Sequence, residues 1–91
     1  MTKQELKTSI GMGFFSCAWI KKNGRVGIVK RAILGDYAWR HTNNPIPTNV
    51  KEHQDYVLGY RVGNGLIPEH KRWVNINPTT VFKLNGVRYA R

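Results

Sequence analysis

Acidic residues are scarce in this chain. Five Asp and Glu stand against fifteen Lys and Arg in 91 residues, a formal net charge of +10 at pH 7. At this size the imbalance sets up a potential of several kT over much of the surface, which draws polyanions before any specific contact forms. The scarcity also bears on catalysis. Glu5, Asp36, Glu52, Asp55 and Glu69 fall into no paired arrangement for general acid/base work, and turn or capping roles suffice for those near Pro or Gly. Cysteine is nearly absent: Cys17 alone cannot close an intramolecular disulfide, which excludes an oxidatively stapled scaffold and fits a reducing compartment. No apolar run approaches the ~20 residues of a membrane span, and the opening residues 1–7 carry no signal-peptide core. The expectation is a cytoplasmic protein with no membrane partner. Internal repeats, low-complexity tracts and charged tails are missing too.

What is present is foldable. With 41% hydrophobic and 11% aromatic residues, and with charges dispersed along the chain, residues 1–91 read as one domain. A chain this short buries about two-thirds of its unfolded surface, enough for one thin core but not for a deep substrate cavity as well. Thr2 followed by Glu5 has capping-box spacing, and Leu6 and Ile10 then share a face, so a short helix is expected over residues 2–10, ended by Gly11 and Gly13. Residues 14–22 read as a strand with Phe15, Cys17 and Trp19 on one face. Asn23-Gly24 predicts a tight hairpin with positive φ at both turn positions. The return strand runs over 25–34, with Val26, Ile28, Lys30 and Ala32 on one face and Arg25, Gly27, Val29, Arg31 and Ile33 on the other.

Residues 35–53 hold two prolines and no sustained period, and read as a long irregular loop, a length that in compact domains is usually functional or mobile. Strands are expected again at 55–62, 71–76, 81–84 and 87–90. Their connections are a turn at 63–65 extended by 66–69, a 3₁₀ or tight turn at Asn77-Pro78-Thr79-Thr80, and an Asn85-Gly86 hairpin. The fold class expected is mainly β, a small antiparallel barrel of five to six strands with a short N-terminal helix.

This layout resembles the small phage and mobile-element proteins described as SH3 β-barrel fold-containing. The resemblance lies in Glu5-Leu6-Lys7, in Phe15 to Ile20 followed by the turn Lys21-Lys22-Asn23-Gly24, and in Arg72-Trp73-Val74-Asn75-Ile76. The run from Trp73 to Val81 is similar to the strand–3₁₀–strand joint of SH3-like barrels. The chain departs from that plan at residues 35–55, which look longer than the family's insert, and at the final hairpin. The resemblance implies an SH3-like fold and a phage-encoded protein of the host cytoplasm, and it brings no catalytic residues.

Enzymatic ingredients are missing from the residues themselves. Cys17 sits mid-strand among apolar neighbours and reads as a buried structural thiol rather than a nucleophile. His41, His53 and His70 lie twelve and seventeen apart, without the close ligand pairs of a zinc site. Gly63-x-Gly65 precedes Leu-Ile-Pro rather than a helix, which suits a turn and not a phosphate cradle. No catalytic residue, metal or cofactor is expected.

The cations carry the functional expectation. Lys21, Lys22 and Arg25 gather at the first hairpin tip, Lys30 and Arg31 at the far end of its second strand, and Lys71 and Arg72 at the entry to a later strand. Edge and hairpin lysines often serve only to block aggregation, but that role does not explain why balancing acids are so few. Trp39 beside Arg40 and His41, with Tyr37 nearby, suits stacking on a nucleobase or filling a partner's pocket; the bland alternative is an indole folded back as a lid. Trp19 and Trp73 read as core. Tyr56 and Tyr60 share parity and would form a strip with Trp73 if their strands pair.

The leading expectation is a non-enzymatic domain binding DNA or RNA, with Lys21, Lys22, Arg25, Lys30, Arg31, Arg40, Lys71 and Arg72 on phosphates and Trp39 and Tyr37 stacking. The alternative is an accessory or inhibitor protein docking on an acidic patch of a host protein. A homo-oligomer formed through free strand edges is a third.

Overall fold

The computed structural model describes residues 1–42, 50–63 and 65–89. Helix α1 (Lys3–Ile10) is followed by β1 (Phe15–Ile20), β2 (Val26–Leu34), a 3₁₀ helix (Gly35–Arg40), β3 (Val57–Arg61) and a 3₁₀ turn (Glu69–Lys71). Then come β4 (Trp73–Ile76), a second 3₁₀ turn (Pro78–Thr80), β5 (Val81–Leu84) and β6 (Val87–Arg88). The six strands form one sheet in the order β4-β3-β2-β1-β5-β6, every pairing antiparallel. The molecule is thus mainly β with one short N-terminal helix. Among the described residues no ladder joins β4 to β6, so the hydrogen bonds of the sheet do not close into a ring.

Helix α1 starts where the capping box requires. The Thr2 hydroxyl accepts from the Glu5 amide at 3.1 Å, and the Glu5 carboxylate accepts from the Thr2 amide at 3.2 Å. An eight-residue helix is not stable alone. It docks by burying Leu6 and Ile10 in the core and packing on β3 and the Pro78–Thr80 turn. Lysines of its first and second turns are held by one carboxylate: Lys3 and Lys7 both reach Glu52 Oε1, at 2.8 and 2.9 Å.

The face assignment for β2 needs correction. Cys17 pairs with Val29 but Phe15 pairs with Ala32, so β2 carries one extra residue at Lys30-Arg31. This bulge leaves both cations exposed and turns Ala32 to the same face as Gly27 and Val29, instead of the face of Val26 and Ile28. A bulge is invisible to a strict period of two, and it bends the strand. The first half of β2 therefore pairs with β1, and its last residues pair with β3.

The first hairpin turn also differs. Gly24 has φ +85 but Asn23 does not have positive φ. The Gly24 amide donates to the Lys21 carbonyl, and the Lys21 amide to the Arg25 carbonyl. This is a three-residue loop ending in a left-handed glycine, the next commonest hairpin after the two-residue form. At the second hairpin both Asn85 (φ 50) and Gly86 (φ 83) are left-handed.

Residues 35–53 are not wholly irregular. Gly35–Arg40 is helical because Tyr37 and Ala38 have a face to cover: Ile33 and Tyr60, which point away from the main core. Both sides of β3 are consequently buried, which accounts for the unbroken apolar run Val57-Leu58-Gly59-Tyr60. Residues 43–49 of that expected loop, and Asn64 of the expected 63–65 turn, lie outside the described residues. Lys71 belongs to the 3₁₀ turn before β4 and Arg72 caps that turn, so neither is in the strand; β6 ends at Arg88, and Ala90 of the expected last strand lies outside the described residues. The strip of Tyr60 with Trp73 is present, edge-on at 4.7 Å; Tyr56 precedes β3 and meets His53 instead. Among the described residues no helix is long and apolar enough to cross a membrane.

Candidate polyanion-binding surface

Four of the five acids are engaged at particular places. Glu52 takes Lys3 and Lys7, and Asp36 lies 3.5 Å from Lys7. Glu69 accepts from Tyr60 Oη at 2.9 and 3.0 Å and from Thr42, and lies 3.7 Å from Arg72 Nε. Glu5 caps its own helix. Among the described residues, Lys3, Lys7 and Arg72 are the cations that form ion pairs. Among the described residues the remaining positive charge has no carboxylate at ion-pair distance and is mostly exposed.

Part of it lines a continuous band. Arg31 lies over the Phe14 ring at 4.2 Å, and Phe14 meets His41 at 5.3 Å. Arg40 then sits between two rings, 5.3 Å from Trp39 and 5.5 Å from Tyr37. The 3₁₀ helix explains this placement. At three residues per turn, with Ala38 and half of Tyr37 buried on two faces, the indole of the next residue takes the third face and points outward, and Trp39 is 70% exposed. The lid alternative for Trp39 therefore does not hold. Phe14, just before β1, is 46% exposed.

On the other side of Arg31 the band opens into a groove of about 410 Å³ lined by Ile28, Lys30, Arg31, Arg61, Val62 and Ile67. Three aliphatic side chains and three cations line it, with no acid. The bulge sets Lys30 and Arg31 here together. Arg61 is anchored by donating to the Lys71 carbonyl at 2.9 Å, while its own carbonyl accepts from Arg72 Nη1 at 3.0 Å. Burial pushes the Arg61 guanidinium down from its ordinary value, as for a cation partly withdrawn from water.

The structure thus brings together Lys30, Arg31, Tyr37, Trp39 and Arg40 with Arg61, whereas Lys71 meets Arg61 through its main-chain carbonyl, a contact that does not set its ammonium on the band. Lys21, Lys22 and Arg25 lie apart, beyond the opposite end of β1, roughly 20 Å away at strand rise. Lys22 shares a hollow with His53, Gln54, Asp55 and Tyr56, so that tip has an acid beside it. Arg72 has most of its side chain buried and is turned to Glu69 and Arg61. Phe14, His41 and Arg61 escaped the sequence reading as site residues. Phe14 passed for a strand residue and Arg61 for a strand end, and only the bulge and the β2–β3 pairing bring them together.

Cys17 is buried, and desolvation pushes its thiol up to about 12. It is a packing residue in the core beside Phe15 and Trp19. Comparison with protein-family models, curated proteins and solved structures gives no match to this chain.

Proposed function

We propose that this protein is a small non-enzymatic β domain that binds nucleic acid. Lys30, Arg31, Arg40, Arg61 and Lys71 take phosphates, and Trp39 and Phe14 stack on bases. The observation that carries this reading is the alternation of guanidinium groups and exposed rings along one band, whose groove end is lined by no acid and whose one nearby carboxylate, Asp36 of the same 3₁₀ helix, lies 3.5 Å from Lys7. Trp39 beside Arg40 keeps most of its indole open to a base, Phe14 offers the part of its ring that Arg31 and the tilted His41 leave exposed, and the cations strengthen both platforms. The order of strands, with β5 beside β1 and a 3₁₀ turn joining β4 to β5, supports an SH3-like architecture. On the resemblance described above, the proposed context is a phage or mobile element.

The test is fluorescence anisotropy with labelled 20-nucleotide probes at increasing salt. Five phosphate contacts to a single strand imply a loss of about hundredfold in affinity between 50 and 200 mM salt. Absence of binding at 50 mM, or a flat salt response, overturns the proposal.

Docking on an acidic host protein is a second reading, favoured by the aliphatic lining of the groove, Ile28, Val62 and Ile67. It predicts no oligonucleotide binding, together with a stoichiometric partner from nuclease-treated host lysate that is lost on Arg31→Ala.

A further inference from the structure

Building on that reading, we infer that the band takes an unpaired strand rather than a duplex, through the rings of Trp39 and Phe14 and the groove between Lys30 and Arg61. Three features of the molecule lead there. The rings are the first. In a duplex the faces of the bases are covered by their neighbours, so an exposed indole 70% open to solvent has a base to stack on only in a single strand.

The second is what the band lacks. Reading a duplex groove takes a helix or a two-stranded ribbon. The band is built instead from a strand end, the 3₁₀ helix Gly35–Arg40 and the β2 bulge. Helix α1 is packed against β3, with Lys3 and Lys7 paired to Glu52 and Asp36. The β1–β2 ribbon projects Lys21, Lys22 and Arg25 at the other end, beside Asp55.

The third is the groove itself. At about 410 Å³, with Ile28, Val62 and Ile67 between Lys30, Arg31 and Arg61, it offers apolar surface to a base or sugar and cations to the flanking phosphates. A single strand can follow the path from Trp39 past Phe14 into this groove, in contact with on the order of four nucleotides, the low end for small β domains.

The experiment compares labelled dT20, rU20 and a mixed-sequence 20-base-pair duplex, each titrated at 50 mM salt with the whole chain. Single strands are expected to bind at least about tenfold more tightly than duplex. Trp39→Ala and Phe14→Ala should each weaken dT20 binding by about five- to hundredfold, the range of one lost base stack, and leave duplex binding within about twofold. Trp39 is largely exposed and Phe14 about half exposed, and unchanged thermal melts confirm that the variants fold. A Lys21→Gln/Lys22→Gln/Arg25→Gln variant should change dT20 binding by no more than about threefold. If duplex binds as well as single strand, or the ring variants leave dT20 binding unaltered, the inference fails and nucleic-acid binding stands. If none of the probes binds, nucleic-acid binding fails and the inference with it.

Discussion

Gly27 shows how one side-chain atom is enough to decide local packing. It sits opposite Trp19 in the β1–β2 ladder, and a Cβ there would lie 2.6 Å from two atoms of the indole. Trp19 is 2% exposed and enclosed by the core, so the ring has nowhere to move. The residue is therefore glycine for lack of space, not for backbone freedom. Gly27→Ala should cost about 1–3 kcal/mol through overpacking, read as a lower midpoint in urea with unchanged slope. A midpoint equal to that of the parent protein would show that the ring yields. From the sequence Gly27 is only a weak point in a strand, because the collision requires the register. The Thr2–Glu5 capping pair and the buried Cys17 thiol are different: local spacing and neighbours were enough to read both.

At the scale of elements, legibility follows how local the cause is. The helix, the positions of both hairpins and the Pro78–Thr80 turn depend on residues within four positions and were readable, although the first hairpin has a three-residue loop in place of the expected two-residue turn. The bulge in β2 and the helical run Gly35–Arg40 answer to distant partners, β3 and the Ile33–Tyr60 face, and were not. The two Asn-Gly hairpins separate the cases further. Asn85 is left-handed and its carboxamide oxygen accepts from the Ser16 amide at 2.9 Å, whereas Asn23 keeps ordinary φ. Asn85→Ala should therefore cost about 1–3 kcal/mol, from an unpaired amide and a strained φ. Asn23 Oδ1 likewise accepts, from the Arg25 amide at 3.0 Å, so Asn23→Ala loses a comparable hydrogen bond but not the left-handed φ, and should cost about 1 kcal/mol less; equal losses in thermal melts would contradict the difference in turn type.

The attachment of α1 gives a pH dependence. Burial raises the Glu52 carboxyl, but hydrogen bonds from Lys3, Lys7 and the Leu58 amide outweigh it and hold the group below its ordinary 4.5. A carboxyl depressed in the folded state stabilises above its unfolded value, and that stability is lost as pH falls through the folded value. Stability should thus decline below about pH 4.5, and Glu52→Gln should remove much of this decline. At pH 7 the substitution should cost about 1–2 kcal/mol, since two ion pairs weaken at one oxygen. A parallel acid profile in parent and variant melts would show that α1 is held by Leu6 and Ile10 alone.

For the whole molecule the question is whether net charge or its arrangement governs binding. The surplus of cations was plain in the composition, and it predicts attraction to any polyanion whichever lysines supply it. Where the cations gather was not legible, since the pairing of three of the five acids depends on tertiary contacts: Glu52 and Asp36 discharge the α1 side, and Glu69 is taken by Tyr60, Thr42 and Arg72. What remains includes two separate groups, the hairpin tip and the aromatic band. Two double charge reversals tell them apart at identical net charge. Lys21→Glu/Lys22→Glu and Lys30→Glu/Arg31→Glu each lower the charge by four, and all four side chains are exposed, so the fold should tolerate both. A global field would weaken dT20 binding equally in the two variants. With phosphates seated along the band, the second variant should lose at least about tenfold more affinity at 50 mM salt and show a salt slope shallower by about 1.4, two contacts at 0.7 each. Anisotropy titrations at three salt concentrations measure both quantities, and equal losses would place the binding in the charge of the whole surface instead of the band.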